Sequence, residues 1–174
     1  MERLKNDIFF SIIIPVYNAE SMINNAILSV INQSYANWEL LIIDDCSIDN
    51  TRDVVLSFTI NNSKIKYFCL EKNSGNAKVP RDFGVSVSSG DYCVMLDSDD
   101  ELSNDYLMCI KEKILNESAD VIISTMHIRD LITRTILNIL PSNQLHIPIN
   151  GKEACRLILS SWKFSGNGIA FTKK

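Results

Sequence analysis

Four short runs in this chain are apolar almost from end to end and stop abruptly at polar residues, a pattern that few folds accommodate. Residues 92–96 run straight into Asp97, Ser98, Asp99 and Asp100. Residues 9–14 stop at Pro15, residues 38–43 close on Asp44 and Asp45, and residues 65–70 open into the polar loop 71–76. Such runs suit strands covered on both faces, as in a parallel sheet, and not the alternating strands of a half-exposed antiparallel one. Between them lie helical stretches. Residues 19–33 place Ile23, Ala26, Ile27, Val30 and Ile31 on one stripe, residues 51–58 follow the cap-forming Asp49, Asn50 and Thr51, and a third helix is predicted near 80–88. Strand-helix alternation of this kind specifies an α/β fold with a mostly parallel central sheet between helical layers.

Ligands of open α/β sheets bind outside the carboxyl ends of the strands. Here those ends carry Tyr17 and Asn18, Asp44 and Asp45, Asn73 to Gly75, and Asp97 to Asp100. Three carboxylates in four positions repel one another unless a cation lies between them. A hard divalent ion, Mg²⁺ or Mn²⁺, takes oxygen ligands and shares them with substrate phosphates. The competing reading is a set of acids placed against the N-terminus of the next helix, predicted at 106–115. No G-x-G-x-x-G follows the first strand and no G-x-x-x-x-G-K-[ST] occurs, so a dinucleotide fold and a P-loop both lack their phosphate cradle.

Composition narrows the function classes further. A net charge of −4 without a basic face argues against nucleic acid as a partner. The 5 cysteines include no C-x-x-C pair and suit reduced thiols in the cytosol, and His127 and His146 have no zinc-ligand spacing to them. No stretch reads as a membrane span or secretion signal, so a cytoplasmic location is expected, with contact at the inner face of the membrane left open. At 174 residues the chain suits one domain. Past the acids, residues 120–124 read as a fifth strand, 133–140 as a weaker one, 141–148 as loop, 152–162 as helix and 168–172 as a closing strand.

The ordered set Ser11-Ile12-Ile13-Ile14-Pro15-Val16-Tyr17-Asn18, Ser29 to Tyr35, Trp38-Glu39-Leu40, Asp44-Asp45-Cys46-Ser47 and Asp97-Ser98-Asp99-Asp100 resembles the nucleotide-sugar-binding half of family 2 glycosyltransferases, which have the glycosyltransferase A fold. The resemblance implies inverting transfer of a sugar from a nucleoside diphosphate sugar, with a UDP-sugar favoured, to a saccharide or lipid-linked acceptor, using Mn²⁺ or Mg²⁺. It makes residues 9–125 the nucleotide-sugar and metal-binding core and 126–174 the start of an incomplete acceptor side, within one domain spanning 1–174. It implies that Pro15, Val16 and Tyr17 cradle base and ribose, that Glu20 lies near the nucleotide, that Asp45 accepts from the base, that Arg81 approaches the donor, and that Asp97 and Asp99 form the metal-binding pair. A homodimer is a further expectation left open. Two departures stand out: Cys46 occupies a position where glycine is usual, and Val79-Pro80-Arg81-Asp82 replaces Ala-Arg-Asn. Inverting transfer also needs a general base. After Asp130 the only carboxylate of these residues is Glu153, so the alternative expectation is a truncated, non-catalytic module that binds the donor.

Overall fold

The computed structural model describes residues 7–117 together with four short strands that follow them. In chain order the elements are β1 (Phe10–Val16), α1 (Ile23–Ile31), β2 (Trp38–Asp44), α2 (Thr51–Thr59), β3 (Ile65–Cys69), α3 (Lys78–Val87), β4 (Tyr92–Met95), α4 (Tyr106–Glu117), β5 (Val121–Ile123), β6 (Met126–Arg129), β7 (Ile136–Leu140) and β8 (Ile169–Thr172). The main sheet has the order β3-β2-β1-β4-β8-β5, with β1 to β4 mutually parallel and β8 antiparallel to both β4 and β5. A separate antiparallel pair joins β6 to β7. The predicted helix at 152–162 and loop at 141–148 lie outside the described residues.

Every residue of β1 and β2 is buried, because both faces are covered. On one face Phe10, Ile12 and Ile14 pack with Ile23, Ile27 and Val30 of α1, Val55 of α2, and Leu107, Ile110 and Ile114 of α4. On the other, Ile13, Leu41, Ile43, Cys93 and Met95 meet Phe83, Val85 and Val87 of α3. Gly84 lets α3 approach that closely. A Cβ there would overlap Ile13 Cγ2 and lie 3.3 Å from Ile43 Cγ1. Overpacking a dense interior forces neighbours off their rotamers. Gly84→Ala is therefore expected to cost about 1–3 kcal/mol, read as a lower urea midpoint. An unchanged midpoint would show that α3 can slide outward freely.

Two local expectations are corrected. Pro15 and Val16 belong to β1 and not to the following loop, pairing with Ile43 and Asp44. The carbonyl of Ile13 faces β4, accepting from Leu96, whereas that of Val16 faces β2, accepting from Asp45. By the two-residue repeat Pro15 faces the β4 side, beyond the last pair Ile13–Met95, where its missing N–H breaks no ladder bond. The first helix begins at Ile23 and not at residue 19. The amides of Ala19 and Glu20 are drawn to the Thr51 hydroxyl and the Asp49 carboxylate, so the chain turns once before the helix starts.

At the amino edge of the sheet one carboxylate ties four strands together. Glu39 of β2 is 3% exposed. Its Oε1 accepts from Ser11 Oγ of β1 at 2.7 Å and from the Ser89 amide and hydroxyl, just before β4, at 2.6 and 2.7 Å. Its Oε2 accepts from Lys66 of β3 at 2.8 Å. Burial alone would raise the Glu39 pKa, but the bonds from Lys66, Ser11 and Ser89 outweigh it and bring it from 4.5 down to about 2.

Candidate donor and metal site

The opposite, carboxyl edge is built from loops that follow β1 to β4. Asn18 takes φ 50°, Cys46 62° and Gly75 72°, so each of the first three loops turns through the left-handed region. Glycine does this freely and asparagine with modest strain, but a cysteine there carries a Cβ penalty. The contrast makes Cys46→Val less stable than Cys46→Gly by about 1–2 kcal/mol in urea unfolding. Equal stability of the two variants would mean that the turn relaxes out of the left-handed region.

A polar mesh sews the first two loops together. Asn18 N donates to Ser47 Oγ at 2.9 Å and Ile48 N to Asn18 Oδ1 at 2.9 Å. Glu20 Oε2 accepts from both the amide and the side-chain nitrogen of Asn50, at 2.8 and 2.9 Å. Glu20 thus holds the loop that leads into α2. Tyr17, between these anchors, is 49% exposed and presents its ring at the rim. Pro15 and Val16 are buried in the sheet.

The adjacent acids Asp44 and Asp45 both hold loops. Asp44 accepts from the Ser47 amide at 2.7 Å and from the Tyr67 hydroxyl at 2.5 Å. Burial, with Asp44 beside it, pushes the Tyr67 hydroxyl far above its ordinary pKa. Asp45, 4% exposed, accepts from the Ser74 amide with both oxygens, at 2.9 and 3.0 Å, and from the Ser74 hydroxyl at 2.9 Å. Those contacts fold the β3–α3 loop back against the end of β2. A carboxylate has about four acceptor positions, so Asp45 retains capacity for a further donor.

The carboxylates after β4 converge. One oxygen each from Asp97, Asp99 and Asp100 lies within 4.8 Å of the others. Burial first, then the charges of Asp99 and Asp97, raise the Asp100 carboxyl from 3.8 to about 6. Arg81 reaches across from α3 and donates from Nη2 to Asp97 Oδ1 at 2.5 Å, while its Nε is buried with no hydrogen-bond partner. Pro80 just ahead of it is tolerated, because the first turn of a helix has no intrahelical use for its N–H. Lys78 pairs with Asp82 and is exposed. Ligands of an octahedral ion at about 2.1 Å stand roughly 3–4 Å apart, so this oxygen-only set suits a hard divalent cation after a small side-chain adjustment.

Sequence reasoning missed the supports of that acid segment. Ser29 Oγ accepts from the Leu102 amide at 3.1 Å. Gln33 donates to the Ser103 carbonyl at 2.7 Å and accepts from the Leu107 amide at 3.0 Å. Both polar residues are buried, Ser29 within the apolar stripe of α1 and Gln33 just past the end of that helix, and a buried polar side chain in such a place is the signal that could have marked them.

With this geometry in hand, the sequence model described as glycosyl transferase family 2 matches residues 11–160. The chain belongs to that family. Among curated proteins the family 2 chain is 44% identical over 106 residues to an uncharacterized glycosyltransferase of Haemophilus influenzae, covering 61% of this chain and 40% of that protein. It is 47% identical over 95 residues to the UDP-Glc:alpha-D-GlcNAc-diphosphoundecaprenol beta-1,3-glucosyltransferase WfgD of Escherichia coli, covering 55% and 36%. The chain therefore spans well under half the length of these relatives. Among solved structures, TarS 1–349 of S. aureus in complex with UDP-GlcNAc superposes with a TM-score of 0.63 at 30% identity, over 66% of this chain and 33% of that one. A mannosyltransferase of Pyrobaculum calidifontis superposes with a TM-score of 0.61 at 16% identity, a likeness that bears on the fold alone. The fold is the glycosyltransferase A fold. Among the described residues of the family 2 chain, no helix is long and apolar enough to cross a membrane.

Proposed function

We propose that the carboxyl edge binds a nucleoside diphosphate sugar, most favourably a UDP-sugar, and presents it for inverting transfer to a saccharide or lipid-linked acceptor. The observation that carries this reading is the convergence of Asp97, Asp99 and Asp100 beside Arg81 at the end of β4. Asp99 and Asp97 would hold Mn²⁺ or Mg²⁺. When bound, that ion offsets the negative charge that a departing diphosphate develops, without needing a proton.

The chain's own residues supply position. Tyr17 offers a ring face on which a base can stack, a contact tolerant of base identity. Asp45, fixed by Ser74, accepts from a base N–H, because an ionised carboxylate can only accept. Arg81 retains its Nε donor for a diphosphate oxygen once Asp97 turns toward the cation. TarS and WfgD lend support, one solved with UDP-GlcNAc and the other named for a UDP-Glc donor and a lipid-linked acceptor. Pro15 and Val16 contribute the strand end from which Tyr17 projects, and Glu20 keeps the neighbouring loop in register.

A second reading is a donor-binding module without its own transfer activity, since holding a cation and a donor at Asp97 and Asp99 needs no general base. One experiment separates the two: UDP binding and sugar release to an acceptor are measured on the same chain, each with and without Mn²⁺. Metal-dependent binding with transfer supports the enzyme, and metal-dependent binding alone supports the module. No binding under either condition overturns both.

A further inference from the structure

Two thiols meet beside the Asp45 turn, and nothing in the proposed donor chemistry uses them. Cys46 follows Asp45 in the left-handed turn, and its Sγ donates to the Leu70 carbonyl at 2.8 Å. Cys69 ends β3, opposite Asp44 in the parallel register, and its Sγ lies 3.5 Å from the same carbonyl. Two sulfurs that share one oxygen at these distances stand no more than about 6 Å apart, and a disulfide, with sulfurs about 2.05 Å and Cβ atoms about 4 Å apart, calls for rotation of both side chains and an adjustment of the Cys46 turn. Cys69 is exposed and Cys46 half-buried, so a reagent reaches the first and the second is placed to resolve. Cys93, by contrast, is buried, and Cys109 is exposed near Asp105 on α4.

We infer that Cys46 and Cys69 form a redox modification site, oxidised to an intramolecular disulfide by a small-molecule disulfide of the glutathione type. The Cys69 thiolate attacks one sulfur of the reagent and expels one thiolate, giving a mixed disulfide. The Cys46 thiolate then attacks Cys69 Sγ and expels the second. The two thiol protons pass to the two released thiolates, and two electrons pass from protein to reagent. Closing the bond removes the Cys46–Leu70 contact and pulls on the residue next to Asp45, whose carboxylate holds the Ser74 amide. Oxidation therefore loosens the β3–α3 loop at the rim. The effect on nucleotide binding rests on the proposed donor site, but the chemistry of the pair does not.

The test treats the full chain with glutathione disulfide and maps the cysteine-containing peptides by mass spectrometry. Cys46 joined to Cys69 as the major product, reversed by dithiothreitol, is expected. Amide exchange at Ser74 should rise at least severalfold in the oxidised protein and return on reduction. In Cys46→Ser a stable glutathione adduct should accumulate on Cys69, and in Cys69→Ser the reagent should act slowly at Cys46. A wild-type chain that stops at the Cys69 adduct would overturn the inference, as would a disulfide that leaves Ser74 exchange unchanged. Should UDP fail to bind even the reduced protein, the donor-site reading falls while the peptide map still decides the thiol pair.

Discussion

Replacing Asp99 by alanine is expected to weaken metal-dependent UDP binding by at least about 100-fold while leaving the urea midpoint within about 0.5 kcal/mol of wild type. The two halves of this expectation come from the same geometry. Asp99 is exposed and shares its cluster with Asp97 and Asp100. Removing it thins a crowd of negative charge, which costs the fold little. For the cation the loss is different, because a hard ion keeps few protein ligands and each carries charge. Titration calorimetry with UDP in Mn²⁺ and in chelator reads the first half. An Asp99→Ala chain that binds UDP with wild-type affinity in Mn²⁺ would remove the metal assignment. A lost affinity together with a collapsed midpoint would instead make Asp99 a structural residue.

The second large effect lies at the other edge of the sheet. Glu39→Ala is expected to lower stability on the order of 3 kcal/mol at pH 7, since it removes a buried acceptor from Ser11, Ser89 and Lys66 at once. Parallel strands have no hairpins to fix their register, so a single carboxylate joining β1, β2, β3 and the entry to β4 takes over part of that task. The pH dependence has a definite sign. Glu39 titrates near 2 in the folded chain against an ordinary 4.5, so the unfolded state binds the proton more readily. Its contribution is complete above about 4.5 and fades as the pH falls toward 2. The stability gap between wild type and Glu39→Ala should narrow over that window, measured by urea unfolding at several pH values. A gap that stays constant would show that Glu39 is not held as a carboxylate.

Much of the architecture was legible because a strand buried on both faces writes itself as a nearly continuous apolar run, and β1, β2 and β4 do so. Their order in the sheet and the antiparallel strand β8 between β4 and β5 were not legible, since pairing between residues as distant in sequence as Met95 and Ile169 leaves no local trace. The start of α1 was misread because the Thr51 and Asp49 side chains capture amides that local periodicity assigns to the helix. Pro15 misled for a related reason: whether its missing N–H matters depends on how far β4 reaches. At the rim, the acids of 97–100 are neighbours in sequence and could be read directly. Arg81 against Asp97, Asp45 against Ser74 and Glu20 against Asn50 are contacts across loops, which only the fold brings together. Glu39 was read as a strand residue and a motif position without a partner, although a charge inside an apolar run signals a buried partner.

The donor-site account is tested most directly by crystals of the chain soaked with Mn²⁺ and UDP, examined at a wavelength where manganese scatters anomalously. The account predicts a single anomalous peak about 2.2 Å from an Asp99 oxygen, continuous through the diphosphate, with the base against Tyr17. Anomalous density that appears elsewhere, or a diphosphate held at the rim with Asp97 and Asp99 turned to solvent, would contradict it.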